Sequence, residues 1–390
     1  MSSLIEIFSR FFLLGCTSFG GPAAHIGYFQ QAFVQKHKWL SQQDFGNLVA
    51  LSQFLPGPGS SQVGFAIGCH RAGLAGGIAA FIGFTTPSVL LMLTLFFIGL
   101  EFANTITFKG IVTGLKLLAV VVVADAIATM AKSFCQQLWQ KALALVVALL
   151  LIFLPLPGLQ IGLLAVAAVI GRLVFSSPEP SSTEPLESNK SSLDWPSFAL
   201  FLICLVAGIV VSGGNALTQM MKDFYVAGSL VFGGGHVVLP LLQEAVAGSL
   251  AQSEFLIGYA AAQAVPGPMF TLATYLGASM FESAPIIGAL VATIMIFLPG
   301  FLLIIAFQPV WQQYAANPKV AGALSGVNAA VVGLLMAAFY QPVAVSAISG
   351  WLDGIIVLLG LCLLRGLKVP VITLVLSFAA LGVLLVQLVY

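Results

Sequence analysis

The sequence predicts an all-α polytopic membrane protein built from two homologous repeats. Composition is the first observation. Of 390 residues, 59% are hydrophobic and 7% charged, against about 25% charged in a soluble globular domain. Mean hydropathy is +1.07. So few charges cannot cover a water-facing surface. That excludes a soluble enzyme, a disordered chain and a nucleic-acid binder, which needs a basic face. Run length is the second observation. Apolar stretches reach the roughly 20 residues that cross a bilayer as helix, whereas a membrane barrel shows short alternating segments. The third is an internal echo: the second half repeats the first in register. The net charge of +1 selects no partner.

Segments 4–36 and 41–70 are apolar but interrupted by Gly and Pro, and segments 72–100, 104–132, 139–154 and 157–175 follow. Residues 1–175 form a first repeat. A linker rich in Ser, Pro and Glu, 176–194, is the one long hydrophilic stretch. A connecting span, 195–212, leads into a second repeat, 213–390. Its segments are 217–248 and 252–281, both interrupted, then 284–309, 315–341, 347–365 and 369–388, which makes thirteen spans in all. Leu13-Leu14-Gly15-Cys16 faintly resembles a lipoprotein cleavage box. Glu6 and Arg10 interrupt the run before it, so the first segment reads as a permanent helix. The five cysteines lack Cys-x-x-Cys spacing and read as small buried residues. No metal site or cofactor is expected.

The echo holds register. Phe19-Gly20-Gly21 answers Phe232-Gly233-Gly234, and Asp44-Phe45 answers Glu254-Phe255. Gln53-x-x-Pro56-Gly57-Pro58 answers Gln263-x-x-Pro266-Gly267-Pro268. Pro87 answers Pro299, and Gly114 answers Gly326, with an offset of 210 to 213 throughout. Seven crossings between repeat starts insert the second repeat upside down, the plan of many secondary transporters. A hairpin at Pro56–Pro58 would change that parity. Basic residues test the orientation. With the N-terminus inside, Arg10, Arg71, Lys132, Lys141, Arg172, Lys190, Lys319, Arg365 and Lys368 fall on one side. Lys36, Lys38, Lys109 and Lys222 fall on the other. Nine against four favours a cytoplasmic N-terminus and linker, with the C-terminus outside.

The breaks carry the chemistry. Gly20-Gly21-Pro22, Pro56-Gly57-Pro58, Gly233-Gly234-Gly235 and Pro266-Gly267-Pro268 all lie inside apolar segments. Lipid cannot satisfy freed backbone groups, so such breaks face protein or a water-filled cavity. Proline suits the first position of a new helix, which makes Pro22, Pro58 and Pro268 restart points. The helix N-termini beyond them, each with roughly half a positive charge, suit an anion near the midplane. Ser60, Ser61 and Thr271 add hydroxyls in the first turns. His25 and His236 follow the glycine-rich breaks and are candidate donors, while Gln53 and Gln263 precede the Pro-Gly-Pro units. Lys116 lies mid-segment, where a lysine costs about 2.5–3.5 kcal/mol on insertion scales. It is a candidate fixed cation, or a partner for Asp125, and Asn328 holds its equivalent position. Asp125 and Glu244 are candidate proton carriers. Each of these features also has a plain structural explanation: Gly/Pro kinks occur in membrane helices that bind nothing.

Phe19-Gly20-Gly21-Pro22-Ala23-Ala24-His25, Trp39-Leu40-Ser41 and Gln53-x-x-Pro56-Gly57-Pro58 resemble the signature of the chromate ion transporter family. Phe232-Gly233-Gly234-Gly235-His236 and Ala264-Val265-Pro266-Gly267-Pro268 resemble its second domain. The resemblance implies a two-domain, long-chain protein of the bacterial inner membrane that exports chromate and confers resistance, with the proton gradient as a drive. In such a membrane the outside, and with it the C-terminus, is periplasmic. It also implies sulfate, an isosteric dianion, as competitor. The bilayer is then the partner, and a homodimer is compatible with this. The chain departs from exact duplication at Pro22 (Gly235 nearby) and Lys116 (Asn328). An intramembrane protease would need a Ser/His pair or two aspartates in the membrane, and no Gly-x-Gly-Asp occurs. An anion channel and an oxyanion uptake permease stay as alternatives.

Overall fold

Glycine and proline decide where these helices stop and where the chain turns back. The computed structural model describes residues 2–19, 21–102, 105–154, 156, 158–174, 192–210, 213–232, 238–246, 248–311 and 317–389. The first apolar segment is two helices, α1 (Ser2–Thr17) and α2 (Gly21–Phe29), the latter continued by a π-helical stretch, Gln30–Lys36. They are antiparallel: the Phe11 ring lies 5.5 Å from Phe29 and 4.6 Å from Phe33. Gly21 makes the turn with a φ of +76°, which a residue with a Cβ rarely adopts. The second segment behaves alike. α3 (Gln42–Phe54) is capped by Ser41, whose Oγ accepts from the Asp44 amide at 3.0 Å. It ends at an extended Leu55, and α4 (Gly59–Phe102) starts back after the Pro56–Pro58 loop.

The two expected crossings at 4–36 and 41–70 are therefore helical hairpins. Arg71, at the far end of the second, lies 5.3 Å over the Trp39 ring and 3.9 Å from Glu6. The open ends of both hairpins share one face. Lys36 and Lys38 lie there too, since His37 between them stands 6.2 Å from the Trp39 ring that Arg71 covers. They belong with Arg10 and Arg71, not opposite them. Trp39 is 9% exposed and stacks on Phe33, so it is a packing residue. Trp195 and Trp351 stand 64% and 75% exposed, as interface anchors do.

α4 reverses at Ala72 and Gly73. Its arms pack backbone to backbone through Gly68 and Gly76, where a methyl group would strike the opposite carbonyl. Its second arm, 74–102, leads into α5 (Ile106–Phe134), and the short helices α6 (Leu138–Phe153) and α7 (Leu159–Val174) follow. α8 (Trp195–Val210) leads into the second repeat. There α9 (Ala216–Leu230) packs along α10 (Val238–Val246). α11 (Gln252–Ala264) is antiparallel to α12 (Leu272–Met280), with Gly258 facing Leu272 and Tyr275. α12 packs on α13 (Pro285–Phe307) through Gly277 and Gly288, as the α4 arms pack through Gly68 and Gly76. α14 (Pro318–Ala338), α15 (Trp351–Leu361, continued by π-helical Cys362–Gly366) and α16 (Val371–Val389) complete the chain.

Among the described residues, four helices are long and apolar enough to cross a membrane: α4, α5, α13 with its 3-10 extension, and the run from Pro318 through Ala347. They are equivalent in pairs. All four interrupted segments turn back on themselves, so thirteen separate spans do not form. α6, α7 and α8 have 16 residues each, about 24 Å at 1.5 Å per residue. The outer face of α4 carries exposed Leu74, Ile78, Ile82 and Leu90, and α13 carries exposed Ile286, Leu290 and Ile294. Bilayer hydrocarbon, not water, suits such a surface.

The repeats exchange their last hairpins. Gly110 and Gly114 of α5 meet Gly382 of α16, and Gly322 and Gly326 of α14 meet Gly171 of α7. Each pair is a Gly-x-x-x-Gly stripe, which lets helix backbones approach where lipid gives no hydrophobic drive to associate. The equivalent helices α4 and α13 are antiparallel. Phe81 contacts Phe297 and Phe301 at 5.1 and 4.9 Å, while Phe96 reaches Tyr275 of α12, beside the start of α13, at 5.8 Å. Residues 175–191, Gly20, and 233–237 with Gly234, Gly235 and His236 lie outside the described residues.

Candidate functional site

The hairpin tips of each repeat end against the other repeat. The Gly57 amide donates to the Val231 carbonyl at 2.7 Å, and the Gly267 amide donates to the Ser18 carbonyl at 2.8 Å. Val231 and Ser18 occupy equivalent places, so each Pro-Gly-Pro loop is tied to the glycine-rich tip of the opposite repeat. Both loops need their glycine, with φ of +129° at Gly57 and +94° at Gly267. Neither has room for more. A methyl group at Gly57 would fall 2.9 Å from Gly300 Cα, and one at Gly267 would collide with Ser88 Oγ. Ser88 follows Pro87 and Gly300 follows Pro299, again as equivalents. The Ser88 hydroxyl donates to the Pro266 carbonyl at 2.6 Å, while Gln62 Nε2 donates to the carbonyls of Pro56 at 2.9 Å and Gly300 at 3.1 Å.

These bonds use donors that the sequence offers to an anion. His25 is 1% exposed. Its Nε2 lies 3.2 Å from the Ser18 carbonyl and its Nδ1 3.2 Å from Ser60 Oγ. A carbonyl only accepts, so Nε2 carries the proton and the Ser60 hydroxyl donates to Nδ1. His25 thereby ties the first tip to the start of α4. Thr271 Oγ1 donates to the Pro268 carbonyl at 2.7 Å. The Ser61 Oγ is buried without a partner, and Pro58 packs on Gly300.

Three cavities are lined by residues of both repeats. The first, of about 140 Å³, is lined by Gly21, Asp125, Gln263, Gly267, Met269 and Leu364. Pro22 is the second residue of α2 there. The second, of about 510 Å³, is lined by Gln160, Gln243, Glu244, Leu334, Ala337 and Gln341. Leu334 and Ala337 are the register equivalents of Val122 and Asp125, which line the first, so these two cavities are counterparts. The third, of about 520 Å³, takes Gln53, Gln136, Gln140, Ser325 and Asn328. Asn328 Oδ1 is buried without a partner, and Gln140 donates to Ser325 at 2.7 Å. The expected residues that the structure describes are thus distributed over the tip junction and separate cavities.

The charges are arranged differently from the spacing expectation. Asp125 does not meet Lys116. Its Oδ1 accepts from Arg365 Nε at 2.6 Å, and Arg365 Nη2 also reaches Thr129 Oγ1 at 3.4 Å. Lys116 is half-buried in α5, and neither ion pair among the described residues includes it. Glu244 Oε1 accepts from the Gly158 amide at 3.0 Å. Sequence reasoning counted Arg365 only as a topology marker, because 240 residues separate it from Asp125. Ser88 and Gly300 were legible as the small residues after two equivalent prolines.

A family model described as chromate transporter matches residues 5–172 and again 218–383. An uncharacterized transporter of Methanocaldococcus jannaschii is 28% identical over 86% of this chain and 83% of its own. The chromate transport protein of Pseudomonas aeruginosa is 27% identical over 85% of this chain and 79% of its own. That of Cupriavidus metallidurans is 25% identical over 86% and 82%. No solved structure matches the chain.

Proposed function

The chain belongs to the chromate transporter family, and from that premise we propose that it carries chromate across the bilayer by alternating access between its two repeats. One observation carries the reading: the reciprocal bonds Gly57–Val231 and Gly267–Ser18 tie each Pro-Gly-Pro loop to the opposite repeat, while Asp125 and its register equivalent Ala337 each line a cavity. Loosening one link opens the junction toward one cavity, and loosening the other opens it toward the second. A count of crossings supports an inverted topology for the second repeat. Hairpins return to the face they left, so α4, α5 and α8 fix an odd number of crossings between repeat starts. The antiparallel α4 and α13 support the same reading. With Lys36 and Lys38 moved beside Arg10, the basic bias toward the N-terminal face strengthens, which supports a cytoplasmic N-terminus in the inner membrane.

In this reading the dianion meets the α2 N-terminus at Gly21 and Pro22, with Gln263 and Gly267, and in the third cavity Gln53 and Asn328. Gly20, Gly234, Gly235 and His236 are the remaining candidates that the sequence offers for the same anion. Lys116 supplies fixed charge. Asp125 and Glu244, one in each counterpart cavity, are the acids through which a proton gradient couples. Sulfate presents the same four oxygens and competes. Export is the direction that the family signature implies.

Purified protein in liposomes is expected to take up chromate with saturation, to be inhibited by sulfate, and to respond to an imposed pH gradient. Ohmic conductance in a planar bilayer would replace the carrier by a channel. Lys116→Gln is expected to raise the KM for chromate about tenfold, the scale of one lost charged contact; an unchanged KM removes Lys116 from the path. Cysteines placed at 36, 71 and 319 are expected to label from one side, and one at 222 from the other. Labelling of 36 and 71 from opposite sides would break the hairpin assignment.

A further inference from the structure

The two counterpart cavities differ in their charged groups: one is bordered by an ion pair, the other by a lone acid. Asp125 borders the 140 Å³ cavity with Gly21 and Gln263. Its carboxylate holds Arg365, the neighbour of cavity-lining Leu364. At the equivalent places, 212 residues away, stand Ala337 and Phe153. The counterpart cavity therefore has no such pair, and its charged lining residue is Glu244. An acid alone repels a dianion; a guanidinium attracts one.

We propose that Arg365 is an anion-receiving cation, parked on Asp125 and taken over by an oxyanion that enters the smaller cavity. The side chains are 47% and 33% exposed, so water screens the pair and it is not locked by burial. Three contacts, to Asp125 Oδ1, the Asp125 carbonyl and Thr129 Oγ1, use at most three of the five N–H groups. A tetrahedral oxyanion accepts two of them side by side. The π-helical turn Cys362–Gly366 carries Arg365, and such turns recur at functional positions in helices. The volume suits a small inorganic anion, since pockets for drug-sized organic ligands run to about 300–1,000 Å³. The ligand class rests on the transport reading above, while the role of the pair is new. It makes the two faces unequal: the anion loads beside Arg365 and leaves past Glu244.

The test uses the full chain in detergent. Chromate and sulfate binding are measured by calorimetry, with melting temperature in parallel. Arg365→Gln is expected to bind both about tenfold more weakly, with Arg365→Lys intermediate. Asp125→Asn, which frees the guanidinium, is expected to bind severalfold more tightly. A purely structural clamp between α15 and α5 gives the opposite for Asp125→Asn: weaker binding and lower melting, in parallel with Arg365→Gln. That result, or unchanged affinity in Arg365→Gln, overturns the proposal. If wild-type protein binds sulfate but not chromate with the same variant pattern, the proposal stands and chromate falls as substrate. If it binds neither, both fall.

Discussion

Gly57→Val and Gly267→Val each reduce chromate flux to the level of empty vesicles while the protein still inserts and purifies. Backbone and packing act together at these positions. The φ values of +129° and +94° lie where a β-branched residue is strained, at on the order of 1–3 kcal/mol. The added side chain at 57 also meets Gly300 Cα, a backbone atom with no rotamer to escape by, and the one at 267 meets Ser88 Oγ, which can turn aside only by giving up the Pro266 carbonyl. Each loop therefore shifts, and its amide loses the carbonyl of Val231 or Ser18. Insertion survives because the exchanged hairpins on α5 and α14 hold the repeats together independently of the tips. Gly59→Ala is the matched comparison: its methyl group meets the Ser52 carbonyl at 3.5 Å, an ordinary contact, and flux stays near wild type. Flux in proteoliposomes, normalised to incorporated protein, checks all three. Full flux in Gly57→Val would separate the tip junction from transport.

The duplication was legible because Pro-Gly-Pro is rare enough to hold register through apolar noise, and the helical class followed from composition. Chain direction within an apolar run was not legible. Hydropathy measures how long residues 4–36 stay apolar, and a hairpin of two arms has the same profile as one tilted span. The charges at Lys36, Lys38 and Arg71 hold the information, but their common face shows only once Arg71 is seen over Trp39. The parity argument rests on different crossings from those the sequence suggested: both interrupted segments of a repeat turn back, which takes two crossings out of the count. The site was half legible. The breaks do meet between repeats, as their N-terminal charge and trapped backbone groups require, yet each spends donors on the other. Lys116 and Asp125 share a helix, and spacing alone invites a pair; Arg365 arrives from a helix that no local pattern connects to α5.

The glycine stripes give the largest expected loss of stability. Gly114→Val and Gly326→Val each drive a side chain into a backbone carbonyl, that of Phe378 in one case and Ala167 in the other. Overpacking typically costs about 1–3 kcal/mol, and here the obstacle is main chain, so the helices must part. Separation of α16 from α5, or of α7 from α14, exposes small residues whose close contact is what holds these helices together in lipid. Because the two stripes are equivalent and share no partners, their effects on melting in detergent should add. The same helices supply the opposite sign. Gly162 in α7 and Gly354 in α15 have nothing within 4 Å of a built methyl group. Alanine there removes about 0.5–1 kcal/mol of helix-weakening flexibility, so Gly162→Ala should melt slightly higher than wild type and Gly171→Ala, nine residues further along α7 and facing Gly326, distinctly lower. Equal melting of Gly162→Ala and Gly171→Ala would mean that the repeats are not held by exchanged hairpins, and the independence of insertion from the tip junction would fail with it.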